Sequence, residues 1–139
     1  MLDVNLKGTW LCLKYQIGEM LKQGSGAVVN MASVGGFIGA AGYASYCAGK
    51  GGVIALTRAA AIEYVKSGIR INVVSPGAIK TGLMASVLPD ILAQIIAGHS
   101  IGRNGKPEEV AEAVVWLCSD AAFFVTGHNM MIDGGYTAQ

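Results

Sequence analysis

The chain has 139 residues, of which 53% are apolar and 14% charged, with a formal net charge of +1. That length holds one domain with a real core, and the composition excludes a disordered chain. Acids and bases are mixed along the sequence without a basic stripe, which excludes a nucleic-acid footprint.

Leu2, Leu6, Trp10, Leu13 and Ile17 recur at helical spacing. They predict a first helix to about Gln23, stopped by Gly24-Ser25-Gly26. Residues 27–33 read as a short buried strand and 34–42 as a glycine-rich loop. A second helix is predicted from Tyr43 to about Lys66, with Ile54, Arg58, Ile62 and Val65 on one side. Gly51 and Gly52 lie inside it, each costing roughly 1 kcal/mol relative to alanine. They predict a close helix-on-helix contact. A second strand is predicted over 69–74, closed by Pro76-Gly77, and a looser helical region over 84–97. Pro107 opens a further helix at its first position, with Glu108 and Glu109 near the positive end of the dipole. Val110, Val114 and Leu117 supply its apolar stripe, and residues 129–133 read as a third strand ended by Gly134-Gly135.

Strands alternating with helices of this length predict an α/β fold with a parallel sheet and crossover helices. Ligands of such sheets bind outside the carboxyl ends of the strands. Ser33, Pro76-Gly77 and Asp133-Gly134-Gly135 would all fall at that edge.

The stretch 23–49 has no charged side chain, which invites a membrane reading. Asn30, Ser33, Tyr43 and Ser45 interrupt it, and glycines break it at Gly35-Gly36, Gly39 and Gly42, so no spanning helix is expected. The start, Met1-Leu2-Asp3-Val4-Asn5, lacks a basic region followed by an apolar run, so no secretory leader is read there. Cys12, Cys47 and Cys118 are odd in number, far apart and outside any zinc-binding spacing. They read as buried small apolar residues in a reducing cytoplasm, with no metal site. His99 and His128 have no triad-like neighbours and read as ordinary surface or loop histidines.

Tyr46 and Lys50 are four apart and share one helix face. A nearby ammonium favours a phenolate and lowers the phenol pKa, which suits the phenol to general acid–base work. Ser33 could hydrogen-bond a substrate oxygen and hold it within reach of Tyr46. This is equipment for moving a proton on or off an alcohol oxygen, without acyl-transfer machinery.

A Tyr-x-x-x-Lys alone is a weak signal, and the assembly around it carries the weight. Its pieces are Asn5 in Asp3-Val4-Asn5-Leu6-Lys7-Gly8, Ser33 in Asn30-Met31-Ala32-Ser33, and Tyr46 with Lys50. Pro76-Gly77-Ala78-Ile79-Lys80-Thr81 and Gly105-Lys106-Pro107-Glu108-Glu109-Val110-Ala111 follow, then Thr126-Gly127 and Asp133-Gly134-Gly135. In order and spacing this resembles the short-chain dehydrogenase/reductase family over essentially the whole chain.

The resemblance implies a Rossmann-like three-layer fold and an NAD(P)(H)-dependent oxidoreductase that interconverts a secondary alcohol and a ketone. Tyr46 would be the catalytic acid/base. Lys50 would lower its pKa and bind the nicotinamide ribose, Ser33 would position the substrate oxygen, and Asn5 would hold a water of a proton relay. Pro76, Gly77, Ile79 and Thr81 match the loop that contacts the nicotinamide end of NAD or NADP, which Tyr46 and Lys50 also meet. Outside the family context, Asn5 reads as a solvent-facing polar residue of a helix and Pro76-Gly77 as a strand-ending turn.

The family's opening strand, glycine-rich turn and helix, which receive the pyrophosphate, have no counterpart in this sequence. Neither has the residue that chooses NAD or NADP. Residues 1–139 therefore correspond to the C-terminal catalytic half of such a domain, with the N-terminal cofactor-binding half absent. The 27–33 strand is expected to present an unpaired edge. The expected partners are a small-molecule alcohol or ketone and further copies of the chain, as a dimer or tetramer, because the first two helices match the family's dimer interface. Nucleic acid and membrane are not expected partners. Residues 34–43 and 84–100, with Phe37, Ile38, Met84, Val87 and Leu88, are expected to line an apolar substrate pocket. The alternative function is a truncated, catalytically inactive association module.

Overall fold

The computed structural model describes residues 1–139, except for the side chain of Leu83. A π-helical turn, Asp3–Lys7, leads into α1 (Gly8–Gln23). Then come β1 (Gly26–Met31), α2 (Ala44–Tyr64), β2 (Ile69–Pro76), α3 (Gly82–Ala85), α4 (Pro89–Ala97), α5 (Pro107–Cys118) and β3 (Asn129–Ile132). The looser helical region expected over 84–97 is two helices, because Pro89 restarts the chain at the first turn of α4. Among the described residues no helix is long and apolar enough to cross a membrane.

The three strands form one parallel sheet in the order β1-β2-β3. Gly26 lies opposite Ile69 and Met31 opposite Val74, while Val73 to Pro76 pair with Asn129 to Ile132. β2 is thus central, and β1 and β3 are the sheet edges. Alternation along β2 divides the core. Ile69, Ile71 and Val73 face α1 and α2, where they meet Leu13, Ile17, Val53, Ile54 and Ala61. Val74 turns to the other face, against Val110 and Leu117 of α5. A Rossmann-like three-layer α/β arrangement results, with helices on both faces of a sheet whose central strand is buried except at Arg70 and Pro76.

Two polar devices fix the layers. Asn30 donates to Thr57 Oγ1 at 2.9 Å inside the core, and Thr57 donates on to the Val53 carbonyl at 2.8 Å. Buried Asn72 donates to the Val125 carbonyl and accepts from the His128 N–H, which ties the approach of β3 to β2.

The buried face of α2 differs from the expected one. It is Val53, Ile54, Thr57, Ala60 and Ala61, whereas Ile62 is 79% exposed and Val65 also faces out. Small residues let the helix lie close to the sheet. Gly52 serves the expected close contact, since a Cβ there would fall 2.8 Å from Leu6 Cδ2. The cysteines are also a correction: Cys12 and Cys118 are exposed and Cys47 is partly covered. Each exposed one precedes or follows a buried leucine, Leu13 or Leu117. One residue is a rotation of about 100° around a helix, so the neighbour of a core position looks away from the core.

Candidate active site

The C-terminal ends of β1 and β2 open into a cleft of about 790 Å³. Ser33 enters it just past β1, where the Ala32 N–H donates to the Val74 carbonyl and carries the pairing on. Ser33 is in extended conformation, and its Oγ accepts the Gly35 N–H at 3.1 Å, capping a short 3-10 turn, Val34–Gly36. That bond uses one lone pair of the oxygen and leaves the hydroxyl proton for another partner.

Tyr46 lies in the first turn of α2 and Lys50 one turn later, so both project toward the same rim. A Cβ built on Gly35 would lie 3.2 Å from Tyr46 Cε1 and 3.6 Å from Ser33 Oγ. The ring and the hydroxyl therefore flank one point of bare backbone. Lys50 Nζ sits 6.0 Å from the centroid of the Tyr46 ring and donates to the Met31 carbonyl at 3.1 Å. Partial burial lowers the Lys50 pKa from its ordinary 10.5, because a poorly solvated ammonium gives up its proton more readily.

The opposite wall is the end of β2 and the loop after it, which contribute Pro76, Gly77, Ile79 and Thr81. Its backbone is held on three sides: Gly77 N–H donates to the Ile132 carbonyl, Ala78 N–H to the His99 ring, and Lys80 N–H to the Gly105 carbonyl. Below it, Arg103 grips Glu109 through both nitrogens at 2.9 and 2.7 Å, and Glu109 also accepts the Lys106 N–H at 2.7 Å. The bonds from Arg103, then that from Lys106, hold the Glu109 carboxyl down to about 2.

Ser33, Tyr46, Lys50, Pro76, Gly77, Ile79 and Thr81 thus line a single cleft. Asn5 does not. It lines an adjoining groove of about 570 Å³ along the free edge of β1, and Lys50 and Met31 are the residues common to both. The Asn5 amide N–H donates to the Met1 carbonyl and sulfur.

The expected pocket lining is partly corrected. Val34 and Met84 take part, whereas Phe37, Ile38, Val87 and Leu88 do not, and Phe37 and Leu88 face outward. Their place is taken by Pro107, Val110, Ala111 and Val114 of α5, of which sequence reasoning placed Val110 and Val114 in the apolar stripe of the helix and gave none to the cleft. His99 is the other omission. It is 4% exposed and not a surface histidine, while His128 is exposed as expected. Its only signal in the sequence was proximity to the Gly102–Gly105 segment that supports the loop.

A family model described as enoyl-(acyl carrier protein) reductase matches residues 1–137. Cis-4-hydroxycyclohexanecarboxylate dehydrogenase of Sinomonas cyclohexanicum is 48% identical over 137 residues, covering 99% of this chain and 55% of that protein. Cyclohexanol dehydrogenase of Acinetobacter sp. (strain SE19) is 47% identical over 138 residues, covering 99% and 54%. A solved structure of ElxO with NADP bound superposes with a TM-score of 0.90 at 36% identity, over 97% of this chain and 56% of that one. The chain spans about half the length of the curated relatives it matches. Motif order, sheet topology and these likenesses agree, and the chain belongs to the short-chain dehydrogenase/reductase family.

Proposed function

We propose that residues 1–139 are the catalytic half of a nicotinamide-dependent oxidoreductase that interconverts a secondary alcohol and a ketone. The observation that carries this reading is the convergence of Ser33, Tyr46 and Lys50 on one cleft whose far wall is the loop 76–81. The residues present fit the nicotinamide and its ribose. A cleft of about 790 Å³ is of ligand size. The Lys50 ammonium stands at its rim, and bare backbone at Gly77 lets the loop lie close to its support.

A bound nicotinamide supplies or takes up the hydride at the carbinol carbon. The residues of this chain manage the oxygen. Ser33 donates its free proton to that oxygen and fixes its place. Tyr46 takes the alcohol proton during oxidation and returns one during reduction. Lys50 brings positive charge to the phenol and N–H donors for the hydroxyls on the ribose side of the cleft, and Asn5 continues the polar path from Lys50 along the neighbouring groove. The apolar walls, Val34, Met84, Ile95 and Val110 among them, favour a secondary alcohol on a compact apolar ring. The ring alcohols in the names of the two relatives support the same class. NAD and NADP are both accommodated by this reading. We further place self-association on α1, where Trp10 and Tyr15 are exposed.

The test is cyclohexanol-dependent reduction of NAD⁺ or NADP⁺ by this chain joined to the N-terminal portion of the Acinetobacter relative. Tyr46→Phe is expected to lower turnover by about 10²-fold or more with nucleotide affinity retained. Full turnover in that variant would remove the phenol from its role. Absence of turnover in the folded parent would favour the association reading.

A further inference from the structure

We propose that His99 is a positioning residue, which as a neutral imidazole protonated on Nδ1 sets the placement of the 76–81 loop by accepting the Ala78 N–H. The proposal rests on the reading of that loop as the one that meets the nicotinamide end of the cofactor.

The ring nitrogens have partners of opposite kind. Nδ1 lies 2.7 Å from the Ile95 carbonyl, which can only accept. Nε2 lies 3.1 Å from the Ala78 nitrogen, which can only donate. One tautomer satisfies both contacts: a proton on Nδ1 and a lone pair on Nε2. A proton on Nε2 would set two N–H groups against each other at 4% exposure, where an unmade bond is costly.

Three segments enclose the ring. α4 ends two residues before it, and the His99 N–H itself caps Ile96. The turn after β3 brings Tyr136, whose ring centroid is 4.8 Å away. The loop approaches so closely that a Cβ on Gly77 would fall 2.6 Å from Nε2 and 3.1 Å from Asp133 Cα. Asp133 does not claim the imidazole, because its carboxylate is occupied by the N–H groups of Gly135 and Thr137 and by the Thr137 hydroxyl. Arg103 and Glu109, the other charged groups in this small cavity, pair with each other. The imidazole is therefore left to its two backbone partners. Among the described residues the loop is held by the bonds from Gly77, Ala78 and Lys80 and by the Gly105 N–H on the Ala78 carbonyl, and of these only the bond from Ala78 ends on a side chain. It is the one a substitution can remove.

The test uses the ¹⁵N-labelled chain, whose histidines are His99 and His128. Long-range ¹H–¹⁵N correlation at neutral pH is expected to report His99 with Nδ1 protonated and Nε2 bare. A proton on Nε2 would overturn the proposal. Two variants follow, with thermal melts as the control for folding. His99→Leu removes the acceptor, and His99→Gln keeps an acceptor oxygen at about the reach of Nε2. Hydrogen exchange at the Ala78 amide is expected to quicken at least about tenfold in the leucine variant and to return toward the parent rate in the glutamine variant. Titration with NADPH, on the same variants joined to the N-terminal portion of the Acinetobacter relative, is expected to follow the same order. Unchanged Ala78 exchange in a folded leucine variant would also overturn the proposal. If both variants unfold, the ring spectrum of the parent decides. A parent joined to that N-terminal portion that still binds no nucleotide would fail the cofactor reading, and the exchange comparison would still judge the role of His99.

Discussion

Gly36 lies directly against the backbone of Lys50: a Cβ on it would fall 2.6 Å from the Lys50 carbonyl carbon and 2.8 Å from Gly51 N. The loop after Ser33 thereby rests on α2 backbone to backbone, and this contact sets how far Tyr46 and Lys50 reach into the cleft. Neither side can yield by a rotamer change. Gly36→Ala is expected to destabilise the chain by about 1–3 kcal/mol in urea unfolding and to weaken nucleotide binding. Gly39→Ala, with open space around it, serves as the neutral control.

Lys50 is held at a cost. Burial lowers its pKa below the ordinary 10.5, so in the interval between the two values the unfolded chain carries the additional proton. Stability therefore rises with pH in that interval, just below 10.5. Lys50→Met is expected to flatten this limb of the unfolding profile and to leave the melting midpoint at neutral pH unchanged or higher. Nucleotide affinity should fall in the same variant. A fall in stability without a change in nucleotide binding would contradict both expectations.

The Arg103–Glu109 pair has the opposite signature. Its carboxyl is lowered from 4.5 to about 2, so its contribution is fully present above about pH 4.5 and disappears as pH falls toward 2. The pair is solvent-accessible, which screens it. Glu109→Gln is expected to remove the acid limb assigned to this group, read as the melting midpoint across that interval.

Arg70 gathers the end of α5 and the turn beyond it. Its guanidinium donates to the carbonyls of Leu117, Ser119, Ala122 and Val125 at 2.8 to 3.4 Å. Arg70→Met strands those acceptors and is expected to cost roughly 2–4 kcal/mol in denaturant unfolding. Arg70→Lys should recover only part of it, because a point ammonium cannot reproduce the planar fork.

The sheet and most helices were legible because β-branched runs are punctuated by Gly24-Ser25-Gly26, Ser67-Gly68 and Pro76-Gly77, which act within a few residues. That Ser33, Tyr46 and Lys50 would meet at one rim was legible from the order of motifs along the chain, since the tyrosine–lysine spacing alone was a weak signal. His99 was not. Its surroundings arise where Ile95, Ala78 and Tyr136 meet, and no local pattern encodes that meeting. The cysteines misled because their apolar character was read without their helical phase. The cleft wall on α5 was hidden because Val110 and Val114 serve core and cleft alike.

The π-helical turn at Asp3–Lys7 closes with the Gly8 N–H on the Asp3 carbonyl, one residue wider than an α-turn. The Asn5 carbonyl then receives the Thr9 hydroxyl at 2.8 Å. Such widened turns often accompany functional positions. Here the widening fixes the angular phase of everything before α1. Deleting a single residue from the turn would restore ordinary winding and swing Asn5 by about 100°, out of the groove it shares with Lys50. This stretch should therefore tolerate point substitutions far better than changes of length.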